Sequence, residues 1–445
     1  MRMSVIAAFA PRRIANYNPF MSSPLPSYEE AAALVAARAR RLARIRPSVE
    51  RLPLVSALGR VLAAPLAADR DQPPFPRSTR DGFACRAAEL AAHRPVPVAG
   101  TSRAGDPPSA RLRPGAVWEI MTGAPIPVGA DAVVMIEHVD VAAGSITLHP
   151  SRTLSSRDNI VLRASQARRG QRLLAAGTVL GAAQIALAAS CGYPEMEVYK
   201  RPRVAILATG DELVSVDAEP GPGKIRNSNG PMLAAMVQAA GGEPILLPAA
   251  ADTQKSLDNS IARAAGADLL ILTGGVSAGK FDLVEPALER AGGKFHFTGV
   301  RIQPGKPTVF GEFSSRGAKT TPKGRRTQSR CFFGLAGNPV SSAVTFMLFA
   351  APILSALAGR SDFGPRFALA RLAPGEGGHG KPGLTRFLPA HCTFGETLGS
   401  EPQVEFVPWE GSGDIAAWAR ANCFLVVPEP PAELEPGSIA RILLF

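Results

Sequence analysis

The residues that could do chemistry gather in short loops that follow apolar runs. In the stretch ADLLILTGGVSAGKFD (267–282), the run Leu269 to Thr273 stops in Gly274-Gly275, and Ser277, Gly279, Lys280 and Asp282 follow at once. Glycine lets a main chain approach an anion closely and turn where a Cβ would clash. Ligands of open α/β sheets sit at the carboxyl ends of strands. Three more segments share this design: TGDEL (209–213), QPGKP (303–307) and GNPVSS (337–342). The last opens a helix, where free N–H groups, the positive end of the dipole and the hydroxyls of Ser341 and Ser342 predict an anion cradle. Lys306, on a turn braced by proline, adds a fixed positive charge. Against these stand Asp211, Glu212, Asp252 and Asp282. Carboxylates repel a phosphate unless a divalent cation bridges them, so the mixture predicts Mg²⁺-assisted chemistry at a phosphate ester, with these four as candidate metal ligands. Plainer readings exist: Gly-Gly after a strand is often only a turn, and Asp282 could simply cap the following helix. The dinucleotide pattern G-x-G-x-x-G and the Walker A pattern are absent, which speaks against nicotinamide oxidoreductases and P-loop kinases.

The elements that must position these loops alternate from Arg203 onward. Strands are expected at 204–208, 244–247, 269–273, 295–301, 308–310 and 332–335. Helices are expected at 229–241 (capped by Asn229), 254–265 and 282–291, with a long apolar helix from 339 to about 357. This is the pattern of a doubly wound α/β domain. Upstream, residues 27–45 open with a capping box, Ser27 and Glu30. Ala31, Leu34, Val35, Leu42 and Ile45 share a face of that helix, and Arg38 interrupts the stripe and is expected to snorkel its head group to water. The proline-rich turn DQPPFPRSTRDGFA (71–84) presents Asp81 beside Gly82. Residues 95–150 read as short strands, with Thr122 in a second tight polar turn, as a ligand contact or a turn-stabilising hydroxyl. Short alternating runs over 362–445 suggest a small β-barrel or sandwich.

Composition narrows the field. The chain has 445 residues, 43 Gly and 41 Pro, so many turns and short strands are expected. About half of the net charge of +12 comes from residues 313–330, where Arg316, Lys319, Lys323, Arg325, Arg326 and Arg330 face no acid. This is either a patch for an acidic partner or a solvated loop, and the lack of interleaved aromatics disfavours nucleic acid. The five cysteines form no C-x-x-C and the histidines no cluster, so neither a disulfide framework nor a zinc site is expected. No uninterrupted apolar run reaches the ~18 residues of a membrane span. The run VIAAFA (5–10) is too short for a signal peptide, Met21 is a candidate start, and the cytoplasm is the expected compartment.

The segments PFPRSTRDGFA (74–84), IMTGAPIPVGADAVVM (120–135), VAILATGDEL (204–213), LILTGGVSAGKFD (270–282), QPGKP (303–307) and GLAGNPVSS (334–342) resemble, in order and spacing, the molybdopterin molybdenumtransferases, or molybdenum insertases. The C-terminal domain of gephyrin is a relative of that family. The resemblance covers about residues 27–445. Residues 1–26, ahead of it, are expected to be a disordered extension. The resemblance implies a helical and β stem (27–68 and 151–200), a β insert (69–150), a molybdopterin-binding α/β domain (201–360) and a C-terminal β-barrel (361–445). It implies an elongated homodimer whose active cleft lies between the α/β domain of one subunit and the stem of the other. It also implies the reaction: adenylylated molybdopterin and molybdate give molybdenum cofactor and AMP, with Mg²⁺.

Carried over by motif, Asp211, Glu212 and Asp282 would serve metal and phosphoanhydride chemistry. Gly274, Gly275, Ser277, Gly337, Asn338, Pro339 and Ser341 would hold the nucleotide or pterin phosphate. Asp81 and Thr122 would enter from the stem, and Lys306 and Ser412 would help hold molybdate. The chain departs from the family pattern at Gln303, where many members have Lys, at Gln166, where an acid often stands, and at Pro389, often Arg, for which Arg386 is the expected substitute. Cofactor-biosynthesis or acceptor enzymes are conceivable partners. Two competing readings are a molybdopterin adenylyltransferase using Mg-ATP, which would need only the α/β domain, and a non-catalytic scaffold, which would tolerate loss of Glu212 and Asp282.

Overall fold

The computed structural model describes residues 24–276, 283–313, 330–374, 380–395, 399–430 and 434–445. The expected sites Ser277 and Asp282, the neighbouring Lys280 and most of the basic loop lie outside them. The chain divides into two compact units, Val49–Tyr199 and a larger one formed by the residues on either side of it.

The larger unit is built on a six-stranded sheet. Its spatial order is Glu243–Leu246, Arg203–Ala208, Leu269–Thr273, Arg330–Leu335, Val309–Phe313 and Gly293–Thr298. The first four strands run parallel, Val309–Phe313 runs against them, and Gly293–Thr298 is antiparallel to Val309–Phe313. All of Leu269–Thr273 is buried, as expected for a parallel strand covered on both faces. Successive side chains alternate between two cores. Val204, Ile206, Leu269, Ile271 and Phe333 point to one, which also takes Leu233 and Val237 of the helix Asn229–Ala239 and Phe349 and Leu354 of the long helix. Ala205, Leu207, Leu270, Leu272 and Phe332 point to the other, with Leu257, Ile261, Val284 and Leu288 from two further helices. The expected doubly wound α/β domain is therefore present. Among the described residues one helix, Pro339–Leu357, is long and apolar enough to cross a membrane, but 83% of that window is buried inside the fold, which makes it a core helix.

The helix Tyr28–Ala43 lies on the first of these cores through Tyr28, Ala31, Val35, Ala39 and Leu42. Its capping box forms as expected: the Glu30 N–H donates to Ser27 Oγ at 3.2 Å and the Ser27 N–H to Glu30 Oε2 at 2.7 Å. The stripe differs from the expected one. Leu34 and Ile45 are exposed, whereas Arg38 is 9% exposed and reaches Glu312 Oε2 at 2.6 Å rather than water. The face packs beside Ala351–Leu357 at the end of the long helix, and Glu312 of strand Val309–Phe313 supplies the partner. Nearby His296 packs on Phe310, and burial lowers its proton affinity despite Glu312. Arg330, counted with the basic loop in the sequence, is a strand residue whose guanidinium lies 4.5 Å from the Phe313 ring centre.

Toward the C-terminus, Phe367–Leu372, Thr385–Thr393, Gln403–Phe406, Cys423–Val427 and Ile439–Leu444 form a closed five-stranded barrel, with Cys423–Val427 pairing back onto Thr385–Thr393. Leu372, Leu388, Cys392, Val404, Leu425 and Ile442 fill it. This resolves the barrel-or-sandwich alternative. The smaller unit carries its own six-stranded sheet, ordered Ala132–Met135, Gly82–Cys85, Val117–Ile120, Val96–Ser102, Ser145–Leu148 and Val139–Ala142. Gly82 is required there, since a Cβ would fall 1.9 Å from the Val134 carbonyl oxygen.

The buried ion pair yields a stability prediction. Removing one partner strands a charge, which costs about 3–5 kcal/mol when burial is complete and less here, because Glu312 keeps 24% side-chain exposure. Denaturant unfolding is expected to place Arg38→Ala well below wild type and to return most of the loss in the double variant Arg38→Met, Glu312→Leu. Equal loss in both would show that the pair itself stabilises.

Candidate functional site

Strands Arg203–Ala208, Leu269–Thr273 and Arg330–Leu335 are parallel neighbours, so the loops at their carboxyl ends emerge side by side. A cleft of about 680 Å³ opens there, walled by Gly210, Glu212, Asp252, Gly274, Gly275 and Asn338 among others. Gly337 and Pro339 complete that side of the wall. Gly274 and Gly275 adopt φ of +93° and +62°. A Cβ on Gly274 would stand 2.5 Å from the Thr209 carbonyl oxygen, so the turn is closed to any larger residue.

The acidic side of the cleft is a reciprocal clasp. The Asp252 N–H donates to Asp211 Oδ1 at 3.0 Å, and the Asp211 N–H donates to Asp252 Oδ2 at 3.4 Å. Lys224 Nζ holds the Asp211 carbonyl oxygen at 2.6 Å. The Glu212 carboxylate folds over Gly210, where a Cβ would meet Oε2 at 2.4 Å. Asp211 and Asp252 each leave one carboxylate oxygen outside the clasp. Among the described residues no group of three acidic, His or Cys side chains converges as a cation cage. The hard oxygen donors nevertheless fit Mg²⁺, which commonly takes one or two carboxylates and completes its shell with water and phosphate oxygens.

Opposite the clasp, the loop 337–340 is stitched to the C-terminal segment. Asn338 Nδ2 donates to Ser412 Oγ at 2.8 Å, and the Val340 N–H donates to the Ser412 carbonyl at 3.0 Å. Gly413 and Ile415 continue the wall. The expected hydroxyl donors are not offered to the cleft. Ser342 Oγ donates to the Ala336 carbonyl, and Ser341 is 4% exposed and outside the wall, because the first helical turn is covered by its own loop. Lys306 is exposed one residue before Pro307, which lines the cleft; the Val300 and Thr308 N–H groups both donate to its carbonyl and hold the turn.

Contrary to expectation, the Asn229 side chain does not cap the helix. Nδ2 crosses to Thr273 Oγ1 at 2.8 Å and to the Gly337 carbonyl at 2.6 Å, while Asn227 Oδ1 accepts the Gly230 N–H at 2.9 Å. Arg226, Asn227 and Ser228, not among the expected site residues, also line the cleft. The polar run RNSN (226–229) just ahead of a helix was the available signal.

In the smaller unit, Asp81 and Thr122 come together. The Thr122 N–H donates to Asp81 Oδ1 at 2.6 Å, and this bond holds the Asp81 carboxyl below its ordinary range. Among the departures from the family pattern, Gln303 is the register partner of Arg386 across a parallel strand pair, so the expected substitute cation stands beside the altered position. Pro389 is a strand residue of the barrel, opposite Phe424.

Comparison with known proteins bears on the whole chain. Residues 26–192 match the model of the MoeA N-terminal region (domain I and II), 205–356 the probable molybdopterin binding domain, and 375–445 the MoeA C-terminal region (domain IV). A molybdopterin molybdenumtransferase of Nostoc sp. is 36% identical over 343 residues, covering 76% of each chain. That of Bacillus subtilis is 35% identical over 410 residues, covering 89% of this chain and 90% of the relative. The crystal structure of the molybdopterin biosynthesis moeA protein from Pyrococcus horikoshii OT3 superposes with a TM-score of 0.74 at 26% identity, covering 95% of this chain and all of that one. Matched along nearly its full length, the chain belongs to the molybdopterin molybdenumtransferase family.

Proposed function

We propose that this protein inserts molybdenum from molybdate into adenylylated molybdopterin, releasing AMP, as a cytoplasmic homodimer that uses Mg²⁺. The observation that carries the reading is the single cleft in which Glu212 and Asp252 face the glycine-walled loops 274–275 and 337–338. A phosphoanhydride needs both sides: close main-chain approach for its oxygens, and carboxylates that hold a cation against it. Asp211, Glu212 and Asp252 would hold Mg²⁺, together with Asp282, which the family motif assigns to the same chemistry. Bound there, the ion would neutralise phosphate oxygens as the anhydride breaks. Gly274, Gly275, Gly337 and Asn338 orient the phosphates, and Pro339 shapes the turn. Lys306, Ser412 and Arg386 are assigned to molybdate, an oxyanion suited to charged and hydroxyl donors. Asp81 and Thr122 are proposed as further substrate contacts.

AMP release from adenylylated molybdopterin, followed with Mg²⁺ and with or without molybdate, tests this reading. Release should depend on molybdate, stop with a chelator and return with Mg²⁺. Glu212→Gln should lower it by about 100-fold or more without loss of thermal stability. ATP consumption with free molybdopterin would instead indicate an adenylyltransferase, and binding without turnover a scaffold. Loss of a charged hydrogen-bond donor costs about 1.5–3 kcal/mol. Arg386→Ala should therefore raise the half-saturating molybdate concentration by at least about tenfold; an unchanged value would remove Arg386 from the molybdate site.

A further inference from the structure

We infer that Asn229 is a positioning residue that aims two main-chain N–H groups, those of Gly337 and Asn338, into the cleft as the anion-binding donors. This inference rests on the proposed phosphate-bearing substrate.

The hydrogen inventory fixes the sense of the network. Gly337 O can only accept, so the atom facing it is Nδ2, and the two Nδ2 hydrogens go to Gly337 O at 2.6 Å and to Thr273 Oγ1 at 2.8 Å. With that lone pair taken, Thr273 Oγ1 can turn its own hydrogen to the Ala336 carbonyl at 3.1 Å, and Ser342 Oγ donates to the same oxygen. Two consecutive carbonyls, Ala336 and Gly337, are thus drawn down onto buried side chains: Thr273 is 2% exposed, Ser342 0% and Asn229 8%.

A trans peptide is planar, with N–H and C=O pointing in opposite directions. Pulling the carbonyls of 336 and 337 toward the core therefore turns the N–H groups of 337 and 338 the other way, and both residues line the cleft. Neither N–H has an acceptor among the described residues. The Gly337 and Asn338 amides supply what the hydroxyls of Ser341 and Ser342 do not. Asn229 itself lines the cleft, and among the described residues its buried Oδ1 has no hydrogen-bond partner, so both Nδ2 hydrogens are committed to the network and no competing bond turns the amide.

Asn229→Asp tests the assignment. It keeps size and shape but sets an oxygen against the Gly337 carbonyl, so the peptide should rotate away. Thr273→Val, which removes the second anchor while keeping a β-branched strand residue, is the companion variant. Binding of AMP and of adenosine is measured by calorimetry for the full chain and both variants. The expected result is AMP affinity weakened by about tenfold or more, with adenosine within about twofold of wild type, because only the phosphate uses the amides. Equal weakening of AMP and adenosine would reveal a general loss of structure and overturn the specific role. AMP affinity unchanged in both variants would overturn it while leaving the functional reading intact. Wild-type protein that binds AMP no better than adenosine would remove the phosphate-binding reading, and the positioning role with it.

Discussion

The level ending of three parallel strands governs everything at the cleft. Ala208 is in register with Thr273, and Thr273 with Leu335, so the first loop residues after each, Thr209, Gly274 and Ala336, leave the sheet in one row. That register is held by two cores at once. A slip of one residue would send Leu270 and Leu272 into the core now filled by Leu269 and Ile271, and every neighbouring side chain would follow. Packing that involves no polar atom thereby sets the height at which carboxylates and amides meet.

On that row the protein sets opposing demands close together. The acidic clasp of Asp211 and Asp252 and the loop around Gly337 would repel or attract the same anion. Only a substrate that brings negative charge together with a cation suits both sides. Crowding makes the arrangement stiff: Gly274 lies against Thr209 on one side and within reach of Gly337 on the other. Ser412 fastens the far side of the loop from the C-terminal segment, so Asn229 and Ser412, far apart in sequence, hold the same turn.

Much of this was legible in the sequence for simple reasons. The buried strand Leu269–Thr273, the glycine turns and the capping box are local patterns, and each is set by residues within a few positions of one another. The barrel was half legible, because its strands are short and closure depends on pairing between residues about 30 positions apart, such as Ala390 with Cys423. Arg38, Asn229 and Ser342 were misread because their partners lie elsewhere in the chain or fold. Arg38 meets Glu312, and Asn229 meets Thr273 and Gly337, across separations with no periodicity to reveal them. Polar residues that bond inward look, in a sequence, like polar residues that face water.

The five cysteines have a consequence of their own. All are buried and unpaired, and burial pushes the Cys85 and Cys423 thiols up to about 12 and raises those of Cys331 and Cys392. A soft metal seeks thiolate, and a thiol held in its protonated form is a poor ligand and a poor nucleophile. Those four thiols are therefore poorly suited to compete for a sulfur-seeking metal, and the same packing that fills the cores keeps all five cysteines from solvent.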